Sequence, residues 1–288
     1  MSYDYSDLVR EAESIKERKV KIFSAGKSLM GKDILCIKVG NGSKKLFLSG
    51  AYHGLEYLTS AFLMRFIREY IDAVEEKKEY FGYDVSSIYD NVTLYVIPMV
   101  NPDGVDIAVN GLDITNEYHR KLISMVGIHS FNNVWQANAR GVDINHNFDA
   151  NWGMVATKSS PTKFSGEYPE SEPETKAVVE LVRKEKFDML LAFHSQGREI
   201  YYDFDGLAGA KSLETAQKMA KESGYAVCIP KGTASFGGCK DWFIKEFGKE
   251  GFTVEIGYGK NPLPMSMLCD VYEENARIIL CGAMELGV

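Results

Sequence analysis

No stretch of the 288-residue sequence reaches the roughly 18 uninterrupted apolar residues that a membrane-spanning helix needs, so no such span is expected. Basic residues are not in excess either. Lys and Arg number 33 against 40 Asp and Glu, a formal charge of −7, and no clustered stripe of cations is present. That excludes the electrostatic footprint of a nucleic-acid binder. Cysteine is sparse. Cys36, Cys228, Cys239, Cys269 and Cys281 are scattered without a CxxC pair, which fits reduced thiols better than a disulfide framework. Internal repeats, low-complexity tracts and Pro/Ser-rich linkers are also missing. The first residues, MSYDYSDLVREAESIKERK, are polar and lack the apolar core of a signal peptide. These absences lead to the expectation of a soluble, cytoplasmic protein with neither nucleic acid nor membrane as partner. They carry no signal for an oligomeric state.

What is present is an ordinary globular composition, 45% hydrophobic and a quarter charged, in a chain long enough to bury one large core. Asp4 to Lys19 reads as an amphipathic helix. Val20 to Ser24, Asp33 to Val39 and Lys45 to Ser49 read as strands separated by Gly turns. Leu58 to Val74 has helical apolar spacing. Val92 to Val100 is a compact β-branched run, followed by Asn-Pro-Asp-Gly, a turn signal. Residues 105–165 show no clean period and read as a long irregular stretch, of the kind that is usually functional or disordered. Ser171, with Glu174 three residues on, reads as the capped start of a helix to Lys184. Phe187 to Phe193 is a continuous apolar run, expected of a strand buried on both faces. Helices over Gly209–Ser223, Asp241–Phe247 and Tyr272–Leu286, and strands over Tyr225–Ile229 and Gly251–Ile256, complete an α/β pattern.

In α/β sheets functional groups collect beyond the carboxyl ends of the strands. Three groups lie there in this reading: His53 with Glu56, His194, and Glu255. A single histidine after a strand is more often a hydrogen-bonded structural residue. Two imidazoles and two carboxylates on one rim match a catalytic zinc site, which takes three protein ligands and keeps one position open. His53, Glu56 and His194 would hold one zinc ion, and Glu255, off the metal, would be the general base for the attacking water.

His-x-x-Glu after a strand, a distant His followed by Ser, and a late Glu resemble the zinc carboxypeptidase A family. Asn101-Pro-Asp-Gly104 is similar to that family's NPDG segment, and Gly141-Val-Asp-Ile-Asn145 to its GVDLN segment, with Phe148 and Trp152 following. Gly26-Lys-Ser-Leu-Met-Gly-Lys-Asp33 resembles another of its early stretches. The resemblance runs from Gly26 to the end of the chain. It implies a single α/β/α domain over residues 1–288 with a mixed, roughly eight-stranded sheet. Trp135 to Asp143, Gly237 to Phe243, Gly251 to Gly257 and Asn261 to Pro264 look most like bacterial γ-D-glutamyl-L-diamino acid peptidases.

The resemblance also implies roles. Arg140 would stabilise the oxyanion; otherwise it is a surface arginine. Asn145 would anchor a substrate carboxylate. The family usually has Asn-Arg here, and this sequence has Asn145-His146. Histidine lacks the bidentate, permanently charged fork of arginine, which argues against ordinary C-terminal carboxypeptidase action. His146 is then either a substrate contact or a neutral packing residue. Arg198 would meet an anionic substrate group, and Lys240 is a weaker candidate for the same task. No tyrosine can be assigned over the scissile bond; Tyr201, Tyr202 and Tyr258 read as packing or cleft lining, and His119 and His129 as exposed. The expected activity is zinc-dependent hydrolysis of an amide in a short acidic, murein-derived peptide. Its rivals are a plain metallocarboxypeptidase, an N-acyl amino-acid deacylase, and a binding protein without catalysis.

Overall fold

The Asp4 carboxylate accepts the N–H groups of Ser6 and Asp7, and Asp7 accepts that of Asp4; this reciprocal cap starts helix α1 (Tyr5–Ile15). The computed structural model describes residues 2–287 apart from 127–129, 154–155, 157 and 233–235. After α1 come strands β1 (Lys21–Lys27), β2 (Asp33–Val39) and β3 (Lys44–Ser49), then the long helix α2 (Tyr57–Glu76). A small hairpin, β4 (Glu79–Tyr80) and β5 (Tyr83–Asp84), leads through α3 (Val85–Asn91) to β6 (Val92–Ile97). Helices α4 (Pro102–Asn110), α5 (Glu117–Val126) and α6 (Phe131–Val134) follow, and α7 (Pro173–Glu185) runs into β7 (Met189–His194). The chain ends with β8 (Glu199–Tyr201), α8 (Ala210–Ser223), β9 (Ala226–Cys228), α9 (Cys239–Phe247), β10 (Glu250–Glu255) and α10 (Leu268–Gly287).

Eight strands form one mixed sheet in the order β1-β2-β6-β3-β7-β10-β8-β9. The centre is parallel: β6 with β3, β3 with β7, β7 with β10. Alternate residues of a strand point to opposite faces, and the core divides accordingly. Met189, Leu191 and Phe193 of β7 pack with residues of α2 and α10 such as Phe66 and Ile279. Leu190 and Ala192 pack with residues of α7 and α9 such as Val178 and Trp242. The expected α/β architecture with an eight-stranded mixed sheet is therefore found. No helix among the described residues is long and apolar enough to cross a membrane.

Four expectations need correction. Asn-Pro-Asp-Gly is the start of a helix: Asn101 Oδ1 accepts the Gly104 N–H at 2.9 Å and Pro102 occupies the first turn of α4. Residues 105–165 are not uniformly irregular, since most of α4, together with α5, α6 and a 3₁₀ turn at Ile144–His146, lies within them. Ser171 does not cap α7; Glu172 holds that position, Pro173 follows, and the Ser171 hydroxyl donates to the Glu172 carboxylate at 2.9 Å. His119 is buried on α5 rather than exposed, and His129 lies outside the described residues.

Candidate active site

The chain leaves β3 at Ser49 and turns sharply through Gly50 to His53 into a 3₁₀ turn, Gly54–Glu56, that sets His53 and Glu56 side by side. The turn has little room. A Cβ on Gly54 would lie 2.3 Å from the Gly104 carbonyl oxygen and 2.8 Å from that of Trp135. Asn101 Nδ2 donates to the Tyr52 carbonyl at 3.0 Å, and Thr59 Oγ1 accepts the Ala51 N–H at 2.8 Å while donating to the Glu56 carbonyl at 2.7 Å. The cap of α4 thus also braces the histidine loop. Behind it, Asp103 accepts the Met30 N–H and Glu174 the Leu29 N–H, each at 2.8 Å, which ties the Gly26–Asp33 segment to α4 and α7.

His194 and Glu255 arrive on neighbouring parallel strands. They are register partners at the ends of β7 and β10, so both project toward the same face of the sheet. The Ile256 N–H closes the ladder on the His194 carbonyl at 2.8 Å.

Candidate ligand atoms from His53, Glu56 and His194 all lie within 4.8 Å of one another. His53 Nδ1 is 2.8 Å from Glu56 Oε1, and His194 Nδ1 is 3.0 Å from Glu56 Oε2. Tetrahedral zinc with bonds near 2 Å separates its ligand atoms by about 3.3 Å, so the cluster needs only a slight expansion to accept it. Two nitrogens and a carboxylate are a donor set proper to zinc. Each side of the site is supported. Asp143 Oδ1 lies 3.1 Å from His53 Nε2, Tyr52 stacks on His194 at 5.1 Å, and Asn261 Nδ2 approaches Glu56 Oε1 at 3.4 Å. His194 Nε2 is buried with no hydrogen-bond partner among the described residues.

The electrostatics follow from this crowding. Burial opposes charge on Glu56, but the two imidazoles override it and hold the carboxyl down at about 2. Burial opposes protonation of His53, yet Glu56 and Asp143 on either side raise its pKa well above the usual histidine value. Burial lowers His194, and Glu56 only partly offsets it. Glu255 goes the other way: desolvation, then the Glu56 charge, push its carboxyl well above the carboxylate range. Ligand carboxylate and neighbouring carboxyl are thus driven apart, as a metal ligand and a proton carrier require.

Beside Glu255 opens a cavity of about 440 Å³. Its floor is one face of the sheet edge. Thr253, Tyr201 and Cys228 are successive register partners across β10, β8 and β9, and Glu255 pairs with Glu199. Asn145, Lys231 and the first residues of α9, Lys240 and Asp241, form further parts of the wall.

The family profile described as zinc carboxypeptidase (Peptidase_M14) matches residues 5–278. The chain belongs to the zinc carboxypeptidase family. It is 34% identical over 289 residues to gamma-D-glutamyl-L-diamino acid endopeptidase 1 of Lysinibacillus sphaericus, covering 98% of this chain and 72% of that protein. It is 26% identical to carboxypeptidase B of Bos taurus over 253 residues, 80% of this chain and 56% of the relative. The fold matches bovine thrombin-activatable fibrinolysis inhibitor in complex with tick carboxypeptidase inhibitor at a TM-score of 0.77 and 20% identity, covering 99% of this chain and 97% of that one. The family makes this protein a zinc-dependent hydrolase of peptides, and the His-Glu-His cluster is able to take one metal ion.

Against that zinc carboxypeptidase frame, the remaining sequence-predicted residues divide. Asn145 lines the cavity; its Oδ1 accepts the Cys239 N–H at 3.1 Å, and no described residue takes its amide Nδ2. Arg140 is half-exposed, with its guanidinium 3.6 Å from the buried Glu172 carboxylate. His146 is not among the cavity-lining residues. Its ring is buried, with Nδ1 2.6 Å from the Phe236 carbonyl and Nε2 4.0 Å from Asp143. Arg198 turns away as well: its guanidinium pairs with Glu274 at 2.8 Å and lies over the Tyr225 ring, because a left-handed backbone at φ 54° directs it off the sheet edge. Lys240, ranked last from the sequence, is buried in the cavity wall. The sequence reading gave Asp143 and Glu199 no role. Asp143 meets His53 across 90 residues of chain, and no local pattern announces such a contact.

Proposed function

We propose that this protein hydrolyses the amide bond between γ-D-glutamate and a diamino acid in short murein-derived peptides. The observation that carries this choice over plain C-terminal carboxypeptidase action is the environment of His146. The ring is committed to the Phe236 carbonyl and faces Asp143, an acidic neighbour, so position 146 offers no cationic fork for a terminal carboxylate. The 34% identity to a gamma-D-glutamyl-L-diamino acid endopeptidase supports the same reading.

His53, Glu56 and His194 would hold the zinc, with Asp143 fixing the His53 ring. Zinc, when bound, supplies Lewis acidity that polarises the amide carbonyl and makes water a stronger acid. Glu255 takes the proton of the attacking water and passes it to the leaving amine. Its elevated proton affinity in the desolvated site suits both steps. Arg140 contributes positive charge toward the developing oxyanion once it turns from Glu172. Asn145 Nδ2 donates to a substrate oxygen from the cavity wall.

The test is a comparison of zinc-loaded protein on L-Ala-γ-D-Glu-diaminopimelate and on hippuryl-type C-terminal substrates. Faster turnover of the γ-D-glutamyl peptide, abolished by chelator and restored by zinc, is expected. Preference for the hippuryl substrate would replace this reading with the ordinary carboxypeptidase one.

A further inference from the structure

The loop after Glu255 sends one side chain back to the metal ligands, and amide hydrolysis as described gives it no task. Gly257 has a φ of 68°, and a Cβ there would lie 2.7 Å from Leu263 Cδ1. Leu263 is buried in the same cluster as Val271 and Tyr272 of α10. The chain therefore leaves the sheet, passes through exposed Tyr258 and Lys260, and returns with Asn261 against Ser195. Two bonds fix the Asn261 amide there. Its Oδ1 accepts the Ser195 hydroxyl at 2.8 Å, and its Nδ2 donates to the Ser195 carbonyl at 2.6 Å. A carbonyl only accepts, so the amide cannot be turned the other way round. An amide nitrogen carries two N–H groups. One serves Ser195, and the other is left for Glu56 Oε1, 3.4 Å away. The His53 imidazole now competes for that oxygen at 2.8 Å, and the His194 imidazole takes Oε2 at 3.0 Å. A ring nitrogen that binds a metal is deprotonated and no longer donates to a carboxylate. Among the described residues Asn261 is then the remaining donor to Glu56. Glu56 is 3% exposed, so solvent is a poor substitute, and a buried acceptor without a donor is costly.

We propose that Asn261 is a positioning residue of the metal centre that acts through Glu56, its second amide N–H holding Oε1 and so the setting of the ligand carboxylate. The two bonds to Ser195 refer that setting to the end of β7, the strand that bears His194. The residue type follows from the partners. Aspartate has the same shape and keeps an acceptor for the Ser195 hydroxyl, but it has no N–H for either oxygen. Alanine meets none of the three. The assignment rests on the zinc site and on no particular substrate, so its failure leaves the γ-D-glutamyl reading untouched.

Three measurements on the full chain test this: zinc affinity by chelator competition, the visible spectrum of the cobalt-substituted protein, and urea unfolding of the metal-free protein. Asn261→Ala is expected to weaken zinc about tenfold to a hundredfold, the usual cost of losing a group that orients a ligand. It should also change the cobalt spectrum, which reports the geometry of the ligands. A residue that only staples the loop would lower the urea midpoint and leave the metal alone. Zinc affinity within twofold of the wild type together with an unchanged cobalt spectrum therefore overturns the assignment. Ser195→Ala removes the hydroxyl bond and leaves both amide N–H donors in place. A loss of zinc affinity there equal to that of Asn261→Ala would trace the effect to the turn at Ser195 and also overturn it. If Asn261→Ala fails to fold, the isosteric Asn261→Asp decides: an altered cobalt spectrum supports the assignment, and a wild-type spectrum overturns it.

Discussion

Asp143 Oδ1 stands 3.1 Å from His53 Nε2, on the side of the ring opposite Glu56. Asp143 cannot swing away easily, since its carboxylate also accepts the Lys163 N–H at 2.8 Å and the Asn145 N–H at 3.2 Å. It therefore keeps a proton on Nε2 and turns Nδ1 toward the metal position. Asp143→Asn is expected to weaken zinc binding about tenfold to a hundredfold, the usual cost of losing such a support. Competition with a chromophoric chelator measures it. An affinity within twofold of the wild type would mean that the ring is oriented by packing alone.

Among the described residues no hydrogen bond or ion pair joins Glu255 to any of the three ligand side chains, although it is the register partner of His194. Glu255→Gln should therefore keep full zinc occupancy and lose about a hundredfold to ten-thousandfold in kcat, the range for a positioned general base. Metal analysis and steady-state kinetics on one preparation check both halves. Loss of zinc together with activity would place Glu255 among the ligands instead.

Gly54 is wedged against the Gly104 and Trp135 carbonyl oxygens. In Gly54→Ala the new methyl meets backbone rather than a flexible side chain, so the turn must open. A destabilisation of about 1–3 kcal/mol is expected from overpacking, together with weaker zinc binding as His53 and Glu56 move apart. Urea unfolding with and without zinc reads both effects. A variant with unchanged zinc affinity would show that the turn tolerates the shift.

Glu174 predicts a pH dependence of stability remote from the metal. Burial, reinforced by Asp103 and opposed by the Leu29 N–H, pushes its carboxyl up to about 7 from 4.5. The folded protein then holds a proton that the unfolded chain releases near pH 4.5. Where the native state binds more protons, stability falls as pH rises. The contribution is present below about pH 4.5 and is lost by pH 7, a change of about 3 kcal/mol. Glu174→Gln should flatten the slope of stability between pH 5 and 7. Urea midpoints across that window decide, and parallel slopes would remove Glu174 as the source.

The sequence was most legible where burial is symmetric or where chemistry sits at a strand end. Asp33–Val39 is a strand over the very residues expected, and the apolar run before His194 is a strand buried along its length. His53, Glu56, His194 and Glu255 were recognisable because strand ends gather function. Asn101-Pro-Asp-Gly was misread because Asn followed by Pro serves a helix start as well as a turn. The three-residue β8 was not foreseen; only pairing with β10 and β9 defines it. Arg198 was misplaced, and His146 was left open between a substrate contact and packing, for a related reason. Their positions in the chain are near the site, but the direction of a side chain depends on backbone and neighbours that sequence spacing does not encode.

The parallel ladder between β7 and β10 fixes the spacing of His194 and Glu255 through backbone hydrogen bonds alone. A slip of one residue would turn Glu255 to the opposite face of the sheet. Much of the cavity wall, by contrast, comes from the connections around Asn145 and Lys231 and from the first turn of α9. Hydrolytic machinery and substrate choice thus occupy separable parts of the molecule. Exchange of the 229–241 segment with that of a relative should transplant selectivity while the reacting groups keep their spacing.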